Sequence, residues 1–276
     1  MSYCCTFVLI NTMSMLIVFY KFHGTGNDFI MVDNRDSIFP KNDTNLINKL
    51  CHRRFGIGAD GLILLEQGDD MEDNFKMVYF NADGNQSTMC GNGGRCIVAF
   101  AKFLGIIEDS AIFTAIDGKH SSVIKNGEVS LKMQDVDASD LNDGALFLDT
   151  GSPHYIEFTN ELGDIDVKKE GAKIRYSSQY ENEGGTNVNY VQQEGDHDFL
   201  VRTYERGVED ETYSCGTGVT AVALAVHALG KTASHEINLK TRGGDLKVSF
   251  EEKEEQYSNI WLTGPAEFVF KGEIEC

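Results

Sequence analysis

The sequence predicts an α+β fold of two pseudo-symmetric domains, each a curled mixed or antiparallel β-sheet wrapped around one central buried helix. Three observations predict it. A motif recurs: Cys90-Gly91-Asn92-Gly93 returns as Cys215-Gly216-Thr217-Gly218. The same offset pairs Tyr79 with Tyr204, Leu104 with Leu229, Gly105 with Gly230 and Thr25-Gly26 with Thr150-Gly151. Similarity at one long period marks a duplicated unit rather than a solenoid. The residues after each cysteine are apolar nearly all round, Ile97–Leu104 in one copy and Val219–Leu229 in the other, and such a helix is buried on every side. The segments around them read mostly as short strands.

Taken in order, residues 1–20 carry no charge. The run is barely long enough to span a bilayer. Thr6, Asn11, Thr12 and Ser14 interrupt it, and no basic segment precedes it. We read residues 1–14 as a leader or adventitious extension, and no membrane partner is expected. A first strand runs from Leu16 to Phe22. The loop Gly24-Thr25-Gly26-Asn27-Asp28 leads to a strand over Phe29–Val32. Asn27 either contacts a ligand or caps the turn. Thr44–Arg53 is an amphipathic helix, Gly56–Gly61 a glycine loop, Leu62–Glu66 a strand and Gly68–Asn74 an acidic hairpin tip. Phe75–Asn81 is a strand, and Cys90 then stands where the first buried helix begins. Strands follow over Ala111–Ile116, Ser121–Lys125 and Glu128–Met133. The polar segment Gln134–Gly144 separates the halves, so the N-terminal domain takes residues 15–136 and the C-terminal domain 137–265. Strands over His235–Lys240, Asp245–Glu251 and Asn259–Leu262 close the second half. Gly105 and Gly230 stop the two buried helices. Residues 266–276 exceed two periods and are expected to return as a last strand to the N-terminal domain.

A chain of 276 residues with 41% apolar content has ample material for two cores. The net charge of −19 comes without a basic stripe, which argues against nucleic acid as a partner. Seven cysteines, an odd number without a framework spacing, fit a reducing, cytoplasmic compartment. Cys90 and Cys96 lack the spacing of a metal pair, and no nearby histidines complete one, so no metal is expected.

Each repeated cysteine begins a helix among glycines. Bare N–H groups and the helix dipole there attract a carboxylate and favour a thiolate. A pseudo-two-fold would set Cys90 and Cys215 opposite each other across a shared cleft. One thiolate would remove a proton from a carbon of a small ligand, and the opposing thiol would return one to the other face. Cysteine suits both roles, with an ordinary pKa of about 8.5. The glycine nests would stabilise the carbanion beside a carboxylate, and no cofactor is then required. The alternative is two inert buried cysteines, which the duplication argues against. Arg206 is placed to hold a carboxylate bidentately. Glu205 either tunes Cys215, accepts an ammonium or forms a surface ion pair with Arg206. Asn81 and Asn187 stand at strand ends, where an amide can read amino and carboxyl groups. His154 either biases a thiol's pKa or is an ordinary satisfied histidine.

The chain resembles the diaminopimelate epimerase family. The matching stretches are HGTGNDF (His23–Phe29), FNADG (Phe80–Gly84), CGNGGRC (Cys90–Cys96), GSPH (Gly151–His154), TNVNYV (Thr186–Val191), and YERG with ETYSCGTG (Tyr204–Gly218). They run in order over nearly the whole chain from Leu16. The resemblance implies cofactor-independent interconversion of LL- and meso-diaminopimelate in lysine biosynthesis, in a homodimer. It implies Cys215 as base toward the LL form, Cys90 as opposing acid, and His154 and Glu205 as groups that tune the thiols. It implies substrate recognition by Asn27, Asn81, Asn187, Glu205 and Arg206, with the backbones of Gly91, Asn92, Gly216 and Thr217 holding the reacting carboxylate. Two positions depart from the pattern: Gly61 and Ser152 stand where many members have glutamine and asparagine. Rival readings are another two-thiol enzyme such as a proline or hydroxyproline racemase, a phenazine-type isomerase, and a non-catalytic amino-acid-binding protein.

Overall fold

The structure is a computed structural model and describes residues 15–137, 146–181, 184–254 and 256–276. The expected leader, residues 1–14, and most of the boundary segment lie outside the described residues. The first half runs β1 (Leu16–Gly24), β2 (Asn27–Asp33), α1 (Thr44–Cys51), β3 (Gly61–Glu66), β4 (Phe75–Asn81), β5 (Gln86–Ser87), α2 (Gly91–Phe103), β6 (Ser110–Ala115), β7 (Gly118–Lys125) and β8 (Glu128–Lys132). After β9 (Val136–Asp137), the second half runs β10 (Phe147–Asp149), β11 (Pro153–Phe158), α3 (Val167–Arg175), β12 (Asn187–Gln193), β13 (Asp198–Glu205), β14 (Asp210–Thr212), α4 (Gly216–Ala228), β15 (Glu236–Thr241), β16 (Gly244–Lys253) and β17 (Gln256–Pro265). β18 (Glu267–Glu275) closes the chain.

The duplication is visible in the ladders. β1–β2, β3–β4, β6–β7 and β7–β8 pair antiparallel, while β2–β3 and β4–β6 pair parallel. Their counterparts β10–β11, β12–β13, β15–β16 and β16–β17 are antiparallel, and β11–β12 and β13–β15 parallel. The halves are stitched by β8 against β17. β18 returns to pair antiparallel with β1.

Each half buries one helix. The side chains from Val219 to Val226 are all fully buried against strands of the second half. Ile97, Val98, Phe100 and Ala101 of α2 pack with Phe22, Ile63, Met77 and Leu131. Each such side chain contributes roughly 1.5–3 kcal/mol by leaving water, so these contacts fix where the two helix N-termini point. Both helices end alike. Gly105 and Gly230 are left-handed, at φ +72° and +66°. The next residues, Ile106 and Lys231, donate back to the carbonyls of Ala101 and Val226, which is the Schellman arrangement. The turn between β1 and β2 is a two-residue hairpin with Thr25 and Gly26 both at positive φ, 48° and 84°, as a twist-matched tight turn requires.

Three details differ from the sequence reading. α1 stops at Cys51, short of Arg53, because His52 turns extended and the N–H groups of Ile57 and Gly58 fold back onto the Leu50 carbonyl. α3 was not anticipated; Asp166 caps it by accepting from Lys169 N–H, as Asp43 caps α1 by accepting from Leu46 N–H. The constant offset also fails locally at β4 and β13. Asn81 ends one strand and Glu205 the other. Tyr79 therefore faces the α2 core, whereas Tyr204 packs in the outer cluster beside α3.

Candidate active site

Cys90 is the N-cap residue of α2 and Cys215 that of α4, both in extended backbone conformation. The first N–H groups of any helix lack an intrahelical acceptor. Here those belong to Gly91, Asn92, Gly216 and Thr217. The two helix ends abut: a Cβ on Gly216 would stand 3.2 Å from the Gly91 Cα, and one on Gly91 would stand 3.4 Å from the Gly216 Cα. Two positive helix ends thus converge between the halves.

The junction is fastened by polar contacts. Asn92 Nδ2 donates to the Ser214 carbonyl (3.1 Å), and Ser214 Oγ lies 2.5 Å from Thr25 Oγ1. Arg95, fully buried, donates to Asn92 Oδ1 (2.9 Å), Thr25 Oγ1 (3.1 Å) and the carbonyls of Gly91 and Pro265. Burial pulls its pKa down to about 10, which leaves it cationic at neutral pH beneath the α2 N-terminus. On the other side Thr150 Oγ1 donates to the Thr217 carbonyl (2.8 Å).

Both thiols are buried enough to resist ionisation. Burial raises Cys90 to about 11, while the Gly93 N–H, 3.2 Å from its sulfur, works the other way. Burial raises Cys215 to about 12; the Glu205 carboxylate adds to the rise, and the Thr217 hydroxyl and Gly218 N–H oppose it. A Cys90 thiolate raises Cys215 further. Like charges so placed oppose ionisation of both thiols at once, so once one thiolate forms the other sulfur keeps its proton, the state a two-base reaction needs. Glu205, last in β13, is raised by its own burial.

His154, in β11, is fully buried and held down to about 3 by burial and the nearby Arg206 cation. It is a neutral imidazole with a fixed tautomer. Asn189 Nδ2 donates to its Nδ1 (3.1 Å) and to the Tyr155 carbonyl, while Asn189 Oδ1 accepts from Thr203. The proton therefore sits on Nε2, which donates to Thr217 Oγ1 at 2.8 Å. That leaves the Thr217 hydroxyl to donate to Cys215 Sγ, 3.5 Å away. His154 acts on the thiol through Thr217 rather than as a charged neighbour. The expected consequence is a pH–rate profile whose rising limb follows the thiols, above the histidine range. A rising limb near pH 6.5 that His154→Gln removes would contradict this.

The remaining candidates form two groups. Asn187 Nδ2 donates to Ser152 Oγ (2.9 Å) and the Pro153 carbonyl; its Oδ1 accepts from Arg206 N–H (2.8 Å), and Arg206 also donates to Ser152 Oγ (3.4 Å). Ser152 thus braces both. Asn27 Nδ2 donates to Asp60 (2.8 Å) and its Oδ1 accepts from Asn92 Nδ2 (3.3 Å). These bonds tie Asn27 to the loop before β3 and to the first turn of α2, with one amide hydrogen and one lone pair left over. Asn81 is exposed at the end of β4. Gly61 has no room for a side chain, since a Cβ there would lie 2.6 Å from the Phe80 carbonyl oxygen and from the Tyr79 ring. Sequence reasoning passed over Arg95, Asn189 and Ser214. Asn189 was findable, because Asn187 and Asn189 alternate on one strand and so share a face.

The family model "Diaminopimelate epimerase" matches residues 19–141 and 146–269. A diaminopimelate epimerase of Flavobacterium psychrophilum is 58% identical over 256 residues, covering 92% of this chain and 99% of its own. Among solved structures, a PhzF-family phenazine biosynthesis protein of Bacillus anthracis superposes with a TM-score of 0.71 at 13% identity, covering 94% of this chain and 99% of that one. A hydroxyproline epimerase of Agrobacterium vitis, solved with trans-4-hydroxy-L-proline, superposes at 0.64 and 13% identity, covering 94% and 92%. At such identities these two likenesses concern the fold alone.

Proposed function

The chain belongs to the diaminopimelate epimerase family, and on that premise we propose that Cys90 and Cys215 are the opposed acid and base of its reaction. It is an isomerase of lysine biosynthesis that interconverts LL- and meso-diaminopimelate. The observation that carries the mechanism is the meeting of two cysteine-capped helix N-termini, one from each half, at Gly91 and Gly216.

In the forward direction the Cys215 thiolate takes the α-proton from the LL form, and the Cys90 thiol donates one to the opposite face. Charge that develops on the substrate carboxylate meets the N–H groups of Gly91, Asn92, Gly216 and Thr217. Such donors act most strongly where charge grows in the transition state. The Thr217 hydroxyl, oriented by His154, stabilises the Cys215 thiolate directly. Glu205 faces both sulfurs electrostatically and is the counter-charge for the substrate ammonium; once neutralised there, it no longer opposes thiolate formation. Arg206, Asn187 and Asn81 receive the far amino-acid end, with Asn27 supporting the near side.

The halves that close on the substrate are residues 15–136 with 266–276, and residues 137–265. No helix among the described residues is long and apolar enough to cross a membrane. We assign the protein to the cytoplasm as a homodimer; exposed Phe268, Val269 and Phe270 of β18 support self-association.

The polar groups outside the thiol pair favour diaminopimelate over proline, which has no second amino-acid end. Incubation with LL-diaminopimelate and, separately, L-proline tests this by chiral chromatography. Formation of the meso form is expected; turnover of proline alone would support the racemase reading, and turnover of neither a binding protein.

A further inference from the structure

Tyr79 stands outside the binding groups described above, yet its phenol stands over Gly61, on a strand face that runs from beside the Cys90 sulfur to Asn81. We propose that the Tyr79 hydroxyl is a substrate-binding group, one that hydrogen-bonds bound diaminopimelate on the side of the cleft where residue 61 has no side chain. The proposal rests on the epimerase reading and adds a contact to it.

The placement follows from the strand. Met77, Tyr79 and Asn81 alternate onto one face of β4, opposite Leu65, Ile63 and Gly61 of β3. At the inner end, Met77 and Ile63 border Gly93 together with the Cys90 sulfur, all within 3.4 Å of where a Gly93 Cβ would stand. At the outer end is Asn81. Tyr79 lies between them, half-buried, with Phe29 edge-on to its ring at 5.9 Å. A Cβ on Gly61 would be 2.6 Å from Tyr79 Cε2 and 3.3 Å from its hydroxyl. The phenol therefore occupies the volume that a side chain at position 61 would need.

The repeat says what that volume is for. Gly61 and Asn187 both open the third strand of their halves, paired in parallel with Phe29 and His154 respectively. In the second half the position carries an amide that faces the site. In the first half it carries nothing, and the Tyr79 hydroxyl stands there instead. Tyr79 Oη makes no hydrogen bond to any other described residue, so its donor and its acceptor are both available to a ligand. Burial first, then the charges of Cys90, Glu205 and Asp60, push its pKa up. The phenol stays protonated at working pH, a permanent donor, and the first two of those charges belong to the reacting site.

The test is Tyr79→Phe, which keeps the ring that backs Gly61. The expected result is a rise in KM for diaminopimelate of about ten-fold, with kcat altered less than about two-fold, as for loss of a hydrogen bond to a charged group. In a Cys90→Ala background, where turnover is slowed by about 10²–10⁴, calorimetric titration with meso-diaminopimelate should show the same ratio of affinities with and without the hydroxyl. Unchanged KM and affinity would overturn the proposal, and so would a loss confined to kcat. Failure of the epimerase reading shows separately, as absent turnover in the protein with Tyr79 intact.

Discussion

Cys90→Ala and Cys215→Ala are each expected to lower the epimerisation rate by about 10²–10⁴ while the protein stays folded. Each thiol has its own face of the substrate carbon, and neither can reach across to do the other's work. Losing one sulfur atom removes little packing: Cys90 is half-buried, and Cys215, although buried at 8% exposure, is a member of neither core cluster. Thermal unfolding should therefore change little, and diaminopimelate should still bind. Comparing kcat with calorimetric affinity separates lost chemistry from lost binding. Wild-type turnover in either variant would refute the assignment.

Gly91→Ala and Gly216→Ala should follow closely, each with a loss of about 10²–10³. A Cβ at either position would meet Leu262 Cδ2 at 2.9 Å and the other glycine's Cα at 3.2–3.4 Å. The leucine can move, but the helix ends must part to relieve the backbone contact. Their N–H groups would then no longer converge on one carboxylate. Gly105→Ala is the control. It meets no atom within 4 Å and is strained only by its left-handed φ, so it should reduce stability by about 1 kcal/mol and leave kcat unchanged. If the control lost as much activity as the two site variants, the effect would be one of folding, and the convergent helix ends would not be its cause.

The repeat made the fold legible. Two cysteine–glycine nests at one offset implied two like halves, and the all-apolar helices implied that each half wraps one of them. α3 escaped because its sequence, VKKEGAKIR, is mostly polar, with only Val167 and Gly171 buried. Its place was nonetheless implied by α1, which occupies the same position between the second and third strands of the first half. The thiols and the carboxylate nest could be read from residue type and context. Arg95 could not, because an arginine one turn into an apolar helix shows its worth only when Thr25 and Pro265, distant in sequence, arrive beside it. The Tyr79–Tyr204 pairing misled because a strand ladder has period two: one residue of slip sends equivalent side chains to opposite faces.

Epimerisation of LL-diaminopimelate in deuterated water, stopped early, tests most directly whether two sulfurs flank one carbon. Two opposed thiols predict meso product carrying one deuterium at the inverted α-carbon, and recovered LL substrate without label, because the removed proton and the delivered deuteron belong to different faces. Equal label in recovered substrate and product would mean that a single group serves both faces, and would contradict the two-thiol site.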